Sequence, residues 1–76
     1  MNTYKPKPSD LEWARNVIRM LRDGGAWAAP IIGIFMLDKA RKRLVLQERS
    51  PGYQDRAFQQ TVVVFGAIGY TVVEKS

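Results

Sequence analysis

The chain contains no cysteine and no histidine. Lack of cysteine excludes disulfide staples and thiolate metal sites, and it fits a reducing compartment. Lack of histidine removes the commonest general base, the commonest metal ligand and the usual near-neutral pH switch. Acid–base chemistry would fall to seven carboxylates and to Ser, Thr, Tyr and Lys. No two carboxylates have a recognisable catalytic spacing, no glycine-rich loop suits phosphate, and no serine sits in a nucleophile elbow. The sequence therefore reads as non-enzymatic, with no catalytic residues, no metal, no cofactor and no small-molecule substrate implied.

Long hydrophobic runs are also missing. The longest, Ala26 to Leu37, is twelve residues and contains Pro30, which is too short for a transmembrane helix. The opening MNTYKPKPSD is polar, holds two prolines and lacks the apolar centre of a signal peptide. The expected location is cytoplasmic. There is no internal repeat, and no low-complexity tract beyond the Lys-Pro leader.

What is present is ordinary for one small globular domain: 76 residues, 46% hydrophobic, 25% charged and 11% aromatic. A core this small is thin, and dimerisation is one way to enlarge it. Twelve Lys and Arg against seven Asp and Glu give a net charge of +5, which favours acidic partners: nucleic acid, an anionic membrane or an acidic protein surface.

Residues 1–8 read as an extended leader, because Pro6 and Pro8 push their predecessors out of the helical region. The domain proper spans 9–76. Ser9 and Glu12 have the spacing of a capping box. Leu11, Ala14, Val17, Ile18 and Leu21 then form an apolar stripe at helical period, and Gly24-Gly25 stops the helix. Trp27 to Leu37 reads as one strand, apolar on both faces and so central in its sheet, with Gly33 marking a bulge or a close backbone approach. Arg43 to Arg49 is the second strand of a hairpin with a loop of about five residues. Thr61-Val62-Val63-Val64-Phe65 is strand-like by propensity, yet Ala57, Thr61, Val64, Phe65 and Ile68 share a helical face. A helix from about Tyr53 to Ala67 is therefore favoured, followed by a short strand over Tyr70–Glu74. The expected fold is α+β in the order α-β-β-α-β: a three-strand antiparallel sheet with two helices on one face. The alternative is one helix with a four-strand sheet.

The functional signals are electrostatic. Lys39, Arg41, Lys42 and Arg43 put four cations into five positions at the hairpin turn. They could contact phosphate or an acidic protein face, or simply solvate the tip and discourage edge-to-edge aggregation. Arg15, Arg19 and Arg22 line up on the first helix, with Glu12 and Asp23 near enough to pair with some of them. If both clusters face the same way, the nucleic-acid reading gains considerably. Val62 and Val63 exceed what one helical face needs and could form an oligomer face. Gly66-Ala67-Ile68-Gly69 has the form of the loop that clamps nucleotides in KH domains. Only seven residues follow Gly69, too few for the rest of that unit, so helix termination explains it. Trp13 and Trp27 suit core or hinge packing better than a stacking platform.

The stretch Leu21-Arg22-Asp23-Gly24-Gly25-Ala26-Trp27-Ala28-Ala29-Pro30 resembles small phage and prophage proteins of unknown function. In those, a helix precedes Asp-Gly-Gly, a Trp and a Pro, and the chain closes on a short helix-Gly-strand unit. The likeness covers the middle third and the tail. This chain departs from it after Pro30, where it has Ile31-Ile32. The resemblance implies a mobile-element accessory protein that binds a host component, and it carries over no site residues.

Three functional readings follow. The leading one is a non-catalytic interaction module, homo-oligomeric, that meets a protein partner through the basic hairpin and an apolar patch on the second helix. Its rival is a nucleic-acid binder using the hairpin cations and the arginine row. The third is binding at an anionic membrane surface, for which the first helix is only modestly apolar.

Overall fold

The computed structural model describes residues 4–76, so the first three positions of the expected leader lie outside the described residues. Tyr4 to Lys7 have no regular structure, and helix α1 runs Pro8–Leu21. Pro8 takes the first helical position, where its missing N–H is not needed. This moves the helix start one residue ahead of Ser9, and the expected Ser9–Glu12 box does not form. Asp10 does the capping instead: its Oδ2 accepts the Lys7 backbone N–H at 2.8 Å and the Tyr4 hydroxyl at 2.6 Å. Ala14, Val17, Ile18 and Leu21 are buried, as the stripe requires.

The strand expected over Trp27–Leu37 is in fact two strands, β1 (Trp27–Ala29) and β2 (Gly33–Asp38), paired antiparallel. Between them Ile32 donates its N–H to the Ala29 carbonyl at 3.2 Å, with Pro30 and Ile31 at the corner. Ile31 has φ 53°, a left-handed conformation that is an outlier for a β-branched residue. Tertiary bonds hold it there. Gln54 donates to the Ile31 carbonyl at 2.8 Å and Ser50 to the Ile32 carbonyl at 2.9 Å.

Strand β3 (Arg43–Arg49) pairs antiparallel with β2 around a four-residue loop, 39–42. The register shifts between Ile34 and Phe35, which face Glu48 and Leu46, so Gln47 is the extra residue of a bulge. Gly33 sits beside that bulge in close approach to β3, as its position in the sequence suggested.

Helix α2 spans Asp55–Gly66, so the helical reading of the valine run holds. Thr61, Val64 and Phe65 face the core, and this burial overrides the strand propensity of the β-branched residues. The Thr61 hydroxyl, inside the core, donates to the Ala57 carbonyl at 3.0 Å. The helix carries the chain back along the sheet, so β4 (Thr71–Glu74) runs parallel to β3. The result is a four-strand mixed sheet in the order β1-β2-β3-β4 with two helices, not a three-strand antiparallel one.

The core lies between the helices and one sheet face, centred on Phe35, Phe65, Leu44 and Leu46. An aromatic cluster extends it: Trp27 stacks on Phe35 at 5.3 Å and meets Trp13 edge-on at 5.3 Å. The opposite sheet face is bare. Ile34 is 40% exposed and Met36 46%, so β2 is covered on one side only and not on both. Among the described residues, no helix is long and apolar enough to cross a membrane.

Candidate functional site

Strand parity separates the hairpin cations. Leu44 and Leu46 of β3 are core residues. Lys42, one step before the strand begins, lies on the same helix-covered side, beside Arg19 and Tyr70. Arg43 pairs with Asp38 across the ladder and lies on the bare side with it. The Asp38 carboxylate takes the Arg43 guanidinium at 3.3 Å and lies 3.7 Å from that of Arg41. Lys39 and Arg41 are exposed at the tip.

Lys42 sits in a left-handed conformation, φ 53°, and its carbonyl accepts the Thr71 N–H at 3.0 Å. That bond brings it beside Tyr70. The position of Tyr70 is fixed in turn by the end of α2. Gly69 is left-handed, φ 93°, and donates to the Gly66 carbonyl at 3.1 Å. Tyr70 donates to the Phe65 carbonyl at 3.0 Å. The 6→1 and 5→2 bonds around a left-handed glycine form a Schellman cap. Gly66–Gly69 is thus a helix terminator, as expected, and it aims Ile68 and Tyr70.

Arg15, Ile18 and Arg19 of α1, with Arg22 at its C-cap, face this unit. At 100° per residue they fall within an arc of about 100° on the helix. With Lys42, Ile68 and Tyr70 they line an open cleft of about 310 Å³. The two basic clusters thus meet through one member of the hairpin set, Lys42, and all three of the arginine row. Lys39, Arg41 and Arg43 do not line it.

No carboxylate among the described residues lines the cleft. Among the described residues, none of its four cations forms an ion pair; the expected pairing with Glu12 or Asp23 is not made. Arg19 donates to the Asn16 side-chain oxygen at 2.8 Å, and the Lys42 ammonium lies 5.9 Å from the centre of the Tyr70 ring. Both helices point their C-terminal ends toward this region. Each end contributes roughly half a negative charge, so the dipoles offset about one of four positive charges. The cleft keeps a surplus near three, and helix capping alone does not account for it.

Of the two valines expected to form an oligomer face, Val62 packs against the core while Val63 is 39% exposed. The convergence of Lys42 with the arginine row could not be read from sequence, because it depends on which end of the sheet the α2 crossover returns to. In the sequence, Tyr70 carries no site signal beyond its place after Gly69 in a basic chain. Compared with known proteins, the chain matches no family model, no curated protein and no solved structure.

Proposed function

We propose that the protein is a non-catalytic nucleic-acid-binding module whose contact surface is the basic cleft. One observation carries this reading: Arg15, Arg19, Arg22 and Lys42 converge on a single concavity that, among the described residues, no carboxylate lines. From Arg15 to Arg22 the helix rises about 10 Å at 1.5 Å per residue, the axial rise of about three nucleotides on one strand. Such a row can follow a phosphate backbone. The setting implied by the resemblance over Leu21–Pro30, a phage accessory protein, fits a module of this kind.

The reading is tested by titrating labelled mixed-sequence DNA and RNA oligonucleotides across a salt series. Four phosphate contacts give a log–log slope of about −3 on single strands. A slope near zero, or no binding at low salt, overturns it.

A second reading, a module that contacts a second copy of itself, draws support from the bare sheet face, where Ile34 and Met36 are exposed. Light scattering at high protein concentration tests it, and a strict monomer rules it out.

A further inference from the structure

We infer that the cleft takes an unpaired nucleotide of a single strand, with its base against the Tyr70 ring and its phosphates on Arg15, Arg19, Arg22 and Lys42. This rests on the nucleic-acid reading and narrows it. Phosphate binding alone needs only a cationic surface. Here the cations rim a concavity of about 310 Å³ whose remaining lining includes a tyrosine and the aliphatic side chains of Ile18 and Ile68. An aromatic and aliphatic wall beside cations matches the two halves of a nucleotide, an apolar base and an anionic phosphate.

The tyrosine is held for this task. The Schellman cap fixes its backbone on one side, through the bond to Phe65, and the Thr71–Lys42 bond fixes the next residue on the other. The Lys42 ammonium, at 5.9 Å, stands at the outer limit of cation–π contact. It lies over the ring at that distance and is held there only weakly, so that an arriving base can displace it toward a phosphate. A duplex would leave the ring without a partner, because base faces in a duplex are stacked on each other and only their edges reach the grooves.

Fluorescence anisotropy with a single-stranded oligonucleotide and a hairpin duplex of the same length, at matched salt, tests the inference. The single strand is expected to bind at least about tenfold more tightly. Tyr70→Leu keeps apolar bulk but removes the aromatic face. It is expected to weaken single-strand binding by about 5- to 150-fold, the loss of one stacked base, with the salt slope unchanged. Tyr70→Phe is expected to bind within about twofold of the natural protein, and circular dichroism on both variants confirms that they fold. Equal or tighter duplex binding, or a Tyr70→Leu variant that binds the single strand as the natural protein does, overturns the inference and leaves the nucleic-acid reading standing. Absence of salt-dependent binding to either oligonucleotide overturns both.

Discussion

The backbone N–H of Tyr70 donates to the carbonyl of Phe65 at 3.0 Å, across a left-handed Gly69. One end of that bond belongs to a core residue, and the other carries the aromatic wall of the cleft. Core and site are therefore joined through a single glycine.

Two glycines three residues apart should respond oppositely to the same change. A methyl group at Gly69 meets no atom within 4 Å, but φ is +93° there. Gly69→Ala is expected to destabilise the fold by about 1–2 kcal/mol through backbone strain alone. Gly66 is helical, has no positive φ and is equally open. Gly66→Ala is expected to stabilise by about 0.5–1 kcal/mol. Urea unfolding of the two variants checks both signs.

At Gly33 space is the constraint as well as φ. A β-carbon there would overlap the Glu48 carbonyl oxygen and lie 2.9 Å from the Arg49 Cα, both rigid backbone, at φ 150°. Gly33→Ala is expected to remove roughly 3 kcal/mol or more, since overpacking and strain each account for about 1–3 kcal/mol. In so small a domain, a variant that fails to fold meets the same expectation. A variant unfolding at the natural urea midpoint would contradict it.

Gly33 also shows where sequence reasoning stops. Its close approach was legible, because a lone glycine in an apolar strand has few other uses. The corner just before it was not. Ile31 carries no local preference for a left-handed conformation; Gln54 and Ser50, from a distant part of the chain, hold its turn in place. Pro30 was the one local sign of a corner. The stripe of α1, the limits of β3 and the helical state of Thr61–Phe65 could be read, since each rests on period and burial within one element. Parallel pairing of β4 could not, because a four-residue strand does not encode its neighbour. For the same reason the cationic residues of the cleft were all visible as types, while the separation of Lys42 from Arg41 and Arg43 required the strand register.

Acid should weaken the fold through two carboxylates, the half-buried Asp10 and the exposed Glu74. The Tyr4 hydroxyl and the Lys7 N–H hold Asp10 below its ordinary pKa, and the Arg49 guanidinium, bonded at 2.7 and 2.9 Å, does the same for Glu74. A group depressed in the folded state gives stability that is present above its unfolded pKa, near 4, and lost as pH falls through the folded value. Thermal midpoints should therefore fall below about pH 5. Glu74→Gln should make that acid limb shallower. An unchanged acid limb in Glu74→Gln would refute the assignment.

Lys42 is the only hairpin cation that lines the cleft, and it holds φ 53°. Asparagine tolerates that conformation better than lysine. Lys42→Asn is expected to leave stability within about 0.5 kcal/mol of the natural protein or raise it, while reducing the single-strand salt slope by about 0.7, one phosphate contact. Arg41→Ala and Arg43→Ala, at residues that do not line the cleft and whose guanidinium groups lie 3.7 and 3.3 Å from the Asp38 carboxylate, should leave that slope unchanged. Anisotropy titrations over salt distinguish the three.

The most direct test compares two variants that each lose three positive charges. One replaces Arg15, Arg22 and Lys42 with glutamine, inside the cleft; the other replaces Lys39, Arg56 and Lys75, all exposed and outside it. Overall charge attraction is the same for both. If the cleft is the binding surface, single-strand affinity at low salt falls at least about tenfold more in the first variant, with its salt slope reduced by about 2, and the second retains nearly the natural slope. Equal losses in the two variants would mean that net charge, not the converged cleft, holds the strand.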